Sequence, residues 1–254
     1  MISHLQVFLA AVLIATQASG AVVDCARDGF SVTVPDGWQA IPAQVLSDYS
    51  ASISKLAGGK FNETYEYGYQ RDYHGQWLLY PYMLVQVKEM GRVPEGQLAG
   101  MKQFRQGAAQ GIEKAAKTLD GIVSDMSLGE TFYDATNKCI WMQLSGTSSE
   151  GAKFRGITCG HLTEKGVLFF HFYARASEFE SLLPIFNQVA ASVNIRDGLK
   201  YVSRANDTGG FDFGRVRKSA LTGALIGGVV GFCAWAIRKF GRKSPPPLPP
   251  AAST

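Results

Sequence analysis

The chain has few of the side chains that most often carry catalysis or bind metals. Its 254 residues include four histidines and four cysteines, and the cysteines form no CxxC pair. The sequence also lacks a P-loop, a dinucleotide-binding glycine pattern, a GxSxG motif and an HExxH motif. It therefore offers no motif for nucleotide binding, serine hydrolysis or zinc proteolysis, and we predict no cofactor.

Charge is absent from one long stretch, Ser219 to Ile237, which Lys218 and Arg238 flank. As a helix with a rise of about 1.5 Å per residue, this stretch spans roughly 28 Å, close to the hydrocarbon thickness of a bilayer. A helix also gives every backbone amide an internal partner in lipid. We predict one C-terminal transmembrane helix over 219–237. A buried helix of a soluble protein is the alternative, but only a Pro-rich tail follows it.

The net charge of +4 is unevenly distributed along the chain. Residues 21–214 contain 18 Lys and Arg against 21 Asp and Glu. The other seven basic residues lie beside the uncharged stretch, where they suit anionic headgroups and predict a membrane partner and no nucleic-acid face. They are Arg215, Arg217, Lys218, Arg238, Lys239, Arg242 and Lys243.

The N-terminus is typical of an exported protein. Val7 to Ala15 is apolar but too short to span a membrane, and Ala18–Gly20 supplies small residues for cleavage before Ala21. We predict a signal peptide over 1–20. Because no Lys or Arg precedes the apolar run, an uncleaved N-terminal anchor is the alternative. A cleaved signal places the following domain outside the cytoplasm, on a single-pass protein of the bacterial inner membrane that faces the periplasm.

We predict one extracytoplasmic α+β domain over 21–195, a Gly/Asp/Asn-rich linker over 196–218 and a basic, Pro-rich cytoplasmic tail over 238–254. Alternating apolar residues indicate several strands, and apolar residues on both faces of 167–175 indicate a central strand. Helical periodicity appears near 45–56, over 95–119 and after Ser177, where Glu180 completes a capping-box spacing. The pattern predicts an antiparallel sheet packed by two or three helices.

The opening GFSVTVPDGW (Gly29–Trp38), the strand meander and the closing SVNI (Ser192–Ile195) resemble the PsbP-like and DcrB-like α/β sandwich superfamily. The resemblance covers about residues 25–195. It implies a binding or assembly-support module more than an enzyme, and no ligand residue of the superfamily matches a position here.

The exported cysteines are candidates for a disulfide, since an oxidising compartment favours one. A turn centred near Ser149 would place Cys139 and Cys159 about opposite each other on consecutive strands. Pairing of Cys25 with either of them, or three unpaired buried thiols, are the alternatives.

An enzyme is the rival function, and it would depend on His161 or His171 with nearby acids. Cys159, His161 and Glu164 could form a nucleophilic cluster, but no motif supports activation of the thiol. His161 suits the end of a strand, and apolar neighbours make His171 a candidate core histidine.

The aromatic segment between residues 65 and 82 is the best candidate for a partner surface, because Tyr and Trp combine apolar area with a polar tip. Ordinary strands with aromatic core contacts are the alternative. The candidate residues are Tyr65, Tyr67, Tyr69, Tyr73 and Trp77.

A non-enzymatic, membrane-anchored module that binds a protein or small ligand in the envelope is the function that these patterns favour. A structural anchor that self-associates is a further alternative. Gly223, Gly227 and Gly231 recur every fourth residue of the predicted span, and such a face lets two helices approach closely to form a homo-oligomer.

Overall fold

The computed structural model describes residues 20–56, 63–100, 105–106, 108–110, 112–113, 123–148, 151–205 and 207. Ten strands and two α-helices have complete bounds within these residues. In chain order they are β1 Gly20–Cys25, β2 Phe30–Pro35, β3 Trp38–Ala40, α1 Ala43–Leu56, β4 Tyr67–Arg71, β5 Tyr82–Lys88, β6 Val123–Asp134, β7 Cys139–Ser148, β8 Lys153–Leu162, β9 Val167–Arg175, α2 Phe179–Ala191 and β10 Asn194–Ile195.

The strands form two antiparallel sheets. A small sheet has the order β1-β2-β10, and a seven-stranded sheet has the order β3-β4-β5-β9-β8-β7-β6. Strand β9 occupies the middle of the large sheet, and all its residues except Arg175 are buried. The α+β class, the antiparallel sheet and the central position of 167–175 are therefore confirmed.

Apolar side chains cover both faces of the large sheet. On one face, α1 contributes Leu46, Tyr49 and Ile53 to a cluster with Leu84 and Tyr173. A second cluster on the other face is built with α2, β1 and β2; it includes Phe30, Val32, Phe170, Phe172, Phe179 and Phe186. The fold is thus a layered sandwich with the large sheet in the centre.

Helix α2 buries the stripe that its periodicity predicts, including Leu182 and Val189. Its predicted capping box is wrong. The helix begins at Phe179, its N-cap is Glu178, and that residue makes no side-chain cap hydrogen bond. The carboxylate of Glu180 instead forms an ion pair with Arg155 of β8, so it does not reach back to the helix start.

The long helix predicted over 95–119 differs in the structure. Its start, Glu95–Gly100, is a 3₁₀ helix, and residues 105–106, 108–110 and 112–113 are helical. Leu98, Ala108 and Ile112 are buried against the large sheet, as the apolar stripe predicts. The glycines spaced through this segment weaken an α-helix by about 1 kcal/mol each relative to Ala, which fits an irregular start.

The two edges of the large sheet are formed by very different strands. At one edge β3 has three residues. At the other, β6 has twelve, and its register with β7 shifts twice, between Ser124 and Ser127 and again between Leu128 and Thr131. The pairing of β6 with β7 is therefore interrupted at two places.

Residues 196–205 and 207, assigned from the sequence to a linker, are bonded to the domain. The guanidinium of Arg92 forms ion pairs with Glu164 (Nε–Oε1, 3.1 Å) and Asp207 (Nη1–Oδ1, 2.5 Å), and it lies 4.4 Å from the centre of the Tyr201 ring. The backbone N–H of Arg196 donates to the carbonyl of Gly29. These ion pairs and this backbone hydrogen bond hold the segment against the sandwich.

Among the described residues, no helix is both long and apolar enough to cross a membrane. The predicted span at 219–237, with Gly223, Gly227 and Gly231, lies outside the described residues. The predicted tail and residues 1–19 of the predicted signal peptide also lie outside them.

Candidate functional site

The β7–β8 hairpin brings two thiols and an imidazole together. Cys139 opens β7 and lies directly opposite His161 of β8, and Cys159 lies two residues before His161. Since strand side chains alternate, all three point to the α2 side of the sheet. The Cys139 Sγ atom is 3.4 Å from Nδ1 of His161, and the Cys159 Sγ atom is 3.5 Å from Nε2. We call these three residues the Cys–His cluster.

The cluster is enclosed. The relative exposures of Cys139, Cys159 and His161 are 2%, 0% and 8%. The Phe170 ring packs edge-on to the imidazole at 5.8 Å between ring centres. A hydrogen bond from Cys159, assisted by one from His161, lowers the pKa of the Cys139 thiol, whereas burial raises the pKa of Cys159. One thiol thus ionises more readily than its neighbour.

Of the candidate arrangements, the structure has three unpaired buried thiols: Cys25, Cys139 and Cys159 are all free. The predicted register is wrong by two residues, because Cys159 lies opposite Trp141 and not opposite Cys139. Cys139 and Cys159 nevertheless lie on the same face of the sheet, and their sulfur atoms lie within 4.8 Å of each other.

Glu164, which the sequence suggests as part of a nucleophilic cluster, does not contact Cys159 or His161 in the structure. It lies beyond the end of β8, where its carboxylate pairs with Arg92 and Arg204. Cys159 and His161 are in contact, but the other neighbour of His161 is the Cys139 thiol. The enzyme hypothesis requires a carboxylate in that position.

His171 is a core residue, as its apolar neighbours predict. It is fully buried in the middle of β9, and its Nδ1 atom lies 3.0 Å from the hydroxyl of Thr158 on β8. Burial lowers the pKa of the imidazole to about 3. The ring is therefore neutral at physiological pH.

The α1 side of the sheet contains a group of buried polar atoms without hydrogen-bond partners among the described residues. They are the hydroxyls of Tyr65 and Tyr173, Oε1 of Gln86 and Nε2 of His171. The Tyr65 and His171 rings pack edge-on, with 6.1 Å between ring centres. His171 and Tyr173 are two residues apart on β9, so their side chains lie on the same face of the sheet. We call these four residues the polar core face.

An ion pair closes one border of the polar core face. Glu63 accepts hydrogen bonds from the side chains of Gln86 (2.7 Å) and Lys88 (2.5 Å) through Oε2. Burial raises the pKa of Glu63, although Lys88 opposes the shift. The charges of Glu63 and Lys88 at this border thus neutralise each other within the protein.

The aromatic segment proposed as a partner surface contributes mainly to the interior. Tyr65 and Tyr69 are buried, whereas Tyr67, Tyr73 and Trp77 are half-buried. The hydroxyl of Tyr67 donates to Asp28 at 2.6 Å, and that of Tyr73 donates to the carbonyl of Tyr80 at 2.5 Å. Tyr67 and Tyr69 share one face of β4, whereas Tyr65 precedes the strand and packs on the opposite, α1 side of the sheet. Because β4 is covered on both faces, the segment is not an exposed aromatic patch.

An open cleft lies where the two sheets diverge, lined by Phe30, Leu168 and Leu199 with a charged rim. Its volume of about 70 Å³ suits roughly two water molecules. The rim charges are already paired, Arg27 with Asp28 and Lys165 with Glu89. This cleft therefore lacks both the size and the free charge of a ligand site.

No protein-family model and no curated protein matches the chain. Solved structures do show similarity. The cyanobacterial PsbP of Synechocystis is 11% identical with a TM-score of 0.46, over 74% of this chain and 98% of that one. LpqN, involved in cell envelope biogenesis of Mycobacterium tuberculosis, is 11% identical with a TM-score of 0.35, over 70% of this chain and 91% of that one.

A Bacteroides thetaiotaomicron protein is 15% identical with a TM-score of 0.32, over 68% of this chain and 47% of that one. A PsbP structure is thus among the distant structural similarities of the chain, in the family that its sequence pattern resembles. Neither a ligand nor an activity follows from it.

Proposed function

We propose that the chain is a membrane-tethered, extracytoplasmic binding module without catalytic activity. Its ligand is a small, uncharged polar molecule that contacts the polar core face. The tether in this proposal is the uncharged stretch 219–237, and the predicted signal peptide supports the extracytoplasmic location.

The atoms of Tyr65, Gln86, His171 and Tyr173 that have no hydrogen-bond partner in the described part of the chain carry the proposal. A buried polar group without a hydrogen bond lowers the stability of the folded state by about 1–3 kcal/mol, so four of them on one sheet face are strongly destabilising. A molecule with both donors and acceptors offsets that cost. Because His171 is neutral and Glu63 is paired with Lys88, an uncharged ligand fits better than an ion.

The positions of the histidines support binding over hydrolysis. Within the described residues, no carboxylate is hydrogen-bonded to His161 or His171. His171 is enclosed in the core and His161 contacts two buried thiols, so neither side chain is arranged to activate a nucleophile for a substrate in solution.

The test is to purify the intact protein from its own membrane in mild detergent and to identify small molecules released on denaturation by mass spectrometry. We expect one polar organic molecule at about one per chain. In the double variant Tyr65→Phe, Tyr173→Phe its amount falls at least about tenfold, because two hydrogen bonds of about 1 kcal/mol each are lost.

Tyr49→Phe is the matched control, since Tyr49 lies in the same cluster but its hydroxyl is hydrogen-bonded to Tyr82. This variant should retain the molecule. Release of no organic molecule from the wild type would show that ordered water alone partners the four atoms, and the proposal would then fail. Equal loss from Tyr49→Phe would also count against it.

A further inference from the structure

The Cys–His cluster has the composition and spacing of a metal site. Two cysteines and a histidine each offer one ligand atom, and these three atoms lie within 4.8 Å of one another. Thiolate and imidazole are the ligands that Zn²⁺ prefers. We propose that Cys139, Cys159 and His161 bind one zinc ion.

The three ligand atoms lie close enough together for one zinc ion to reach all of them after a side-chain rotation. With Zn–S bonds of about 2.3 Å and Zn–N bonds of about 2.0 Å, a sulfur and a nitrogen on one ion lie roughly 3.5 Å apart. The two sulfur atoms approach different nitrogens of His161, with Cys139 3.4 Å from Nδ1 and Cys159 3.5 Å from Nε2, and one ion takes only one of these nitrogens. One sulfur-to-nitrogen distance therefore already fits a shared ion, and rotation of the other thiol or of the imidazole brings the third ligand atom, which lies within 4.8 Å of the other two, to the same point.

The sheet holds the three ligands in place. All three are carried by paired residues of one hairpin, with Cys139 opposite His161 and Cys159 opposite Trp141. Strand β9 continues the pairing on the other side of β8, where Phe170 lies opposite Cys159. Because strands position side chains more accurately than loops, zinc binding requires little ordering of the backbone.

Charge favours a divalent ion at this buried position. On binding, the two thiols lose their protons to solvent, two Zn–S bonds form, and one imidazole nitrogen donates its lone pair to the ion. Two thiolates, a neutral imidazole and Zn²⁺ sum to zero charge, whereas Cu⁺ with the same ligands leaves a net negative charge. An uncompensated charge is costly in a site as enclosed as this one.

Asp134, opposite Cys139 on β6, is engaged elsewhere and does not complete the site. Its carboxylate accepts hydrogen bonds from the backbone of Thr136 and Asn137 and from the Asn137 side chain. The described residues thus supply three protein ligands, and the fourth position of the zinc ion goes to water or to an exogenous ligand.

The test uses the full-length protein in detergent, reduced and freed of metal with a chelator. Zinc affinity is measured by competition with a chromophoric chelator, and Co²⁺ is then substituted to detect thiolate-to-metal charge transfer. We expect one Zn²⁺ per chain. Cys159→Ser and His161→Gln each weaken zinc binding at least about tenfold and remove or shift the cobalt absorption.

Cys25→Ser is the matched control, because Cys25 is a buried free thiol outside the cluster. It should keep the wild-type zinc affinity. Circular dichroism shows whether each variant is folded. If one of the two ligand variants does not fold, the other still tests the site.

Three results would overturn the proposal. The first is a reduced wild type that binds Cu⁺ but no stoichiometric Zn²⁺, or no metal. The second is equal loss of zinc from Cys25→Ser. The third is a Cys139–Cys159 disulfide in protein isolated from its own membrane with thiols blocked by an alkylating agent, because a disulfide leaves no thiolates for the ion.

Discussion

At the scale of single residues, His171 makes the stability of the whole domain depend on pH. Its pKa is about 3 in the folded state, below the ordinary value of 6.5, because burial disfavours the charged ring. As pH falls below 6.5 the unfolded chain takes up a proton and the folded chain does not, so stability is lost down to about pH 3. Above pH 6.5 this residue contributes no pH dependence.

We therefore expect the free energy of unfolding to be lower at about pH 5 than at about pH 7.5, with roughly 2 kcal/mol of the difference due to His171. Urea titrations at the two pH values measure it. In His171→Gln that part of the difference disappears, whatever the stability of the variant. His74→Asn should keep it, because His74 is exposed and Asn tolerates its positive φ of 53°. Equal pH dependence in His171→Gln and wild type would refute the assignment.

The sequence predicts the environment of His171 but not the Cys–His cluster. Apolar neighbours at alternate positions are enough to place His171 inside a sheet. The cluster depends on which residues face each other across a hairpin, and strand alternation fixes the shared face but not the register. Moving the centre of the turn by one residue changes the partner of Cys139 from Cys159 to His161.

At the scale of elements, periodic segments are predicted best. Helix α1 buries Tyr49 and Ile53 as its spacing indicates, and β9 is the central strand. Strands β1, β3 and β10 are not predicted from the sequence. Strand β3 has three residues and β10 has two, and β1 begins at Gly20, where the predicted signal peptide ends. The aromatic segment shows the same limit: Tyr67 and Tyr69 share a face, but only the sheet order shows that Tyr65 lies on the other face and that both faces are covered.

The attachment of residues 196–205 and 207 to the domain is an element-scale feature with a direct test. Arg92 reaches Glu164, Asp207 and the carbonyl of Val202, so Arg92→Ala removes several charge-assisted hydrogen bonds at once. We expect a loss of about 2 kcal/mol in the free energy of unfolding. Faster hydrogen exchange in residues 196–205 should accompany it.

Arg27→Ala is the comparison for that experiment. Arg27 is exposed, and its ion pair is with the adjacent residue Asp28, so its removal should change stability by less than about 0.5 kcal/mol. If Arg92→Ala is as stable as Arg27→Ala, the ion pairs of Arg92 do not hold the segment.

At the scale of the whole molecule, the predicted membrane span carries the remaining prediction. We expect Gly227→Ile to lower dimerisation of the isolated span in a membrane assay by roughly fivefold or more, because a large side chain separates helices that pack through small residues. Val229→Ile changes a position on a different helix face and should leave dimerisation unaltered. Unchanged association of Gly227→Ile would exclude the glycine face.

The edges of the large sheet restrict where a second copy can bind. An exposed strand edge is a template for another chain, and natural sheets block it with short strands, bulges and charge. Strand β3 offers three residues at one edge, and at the other the two register shifts of β6 interrupt the row of backbone groups. Copies of the domain can therefore be crowded together without joining into a continuous sheet.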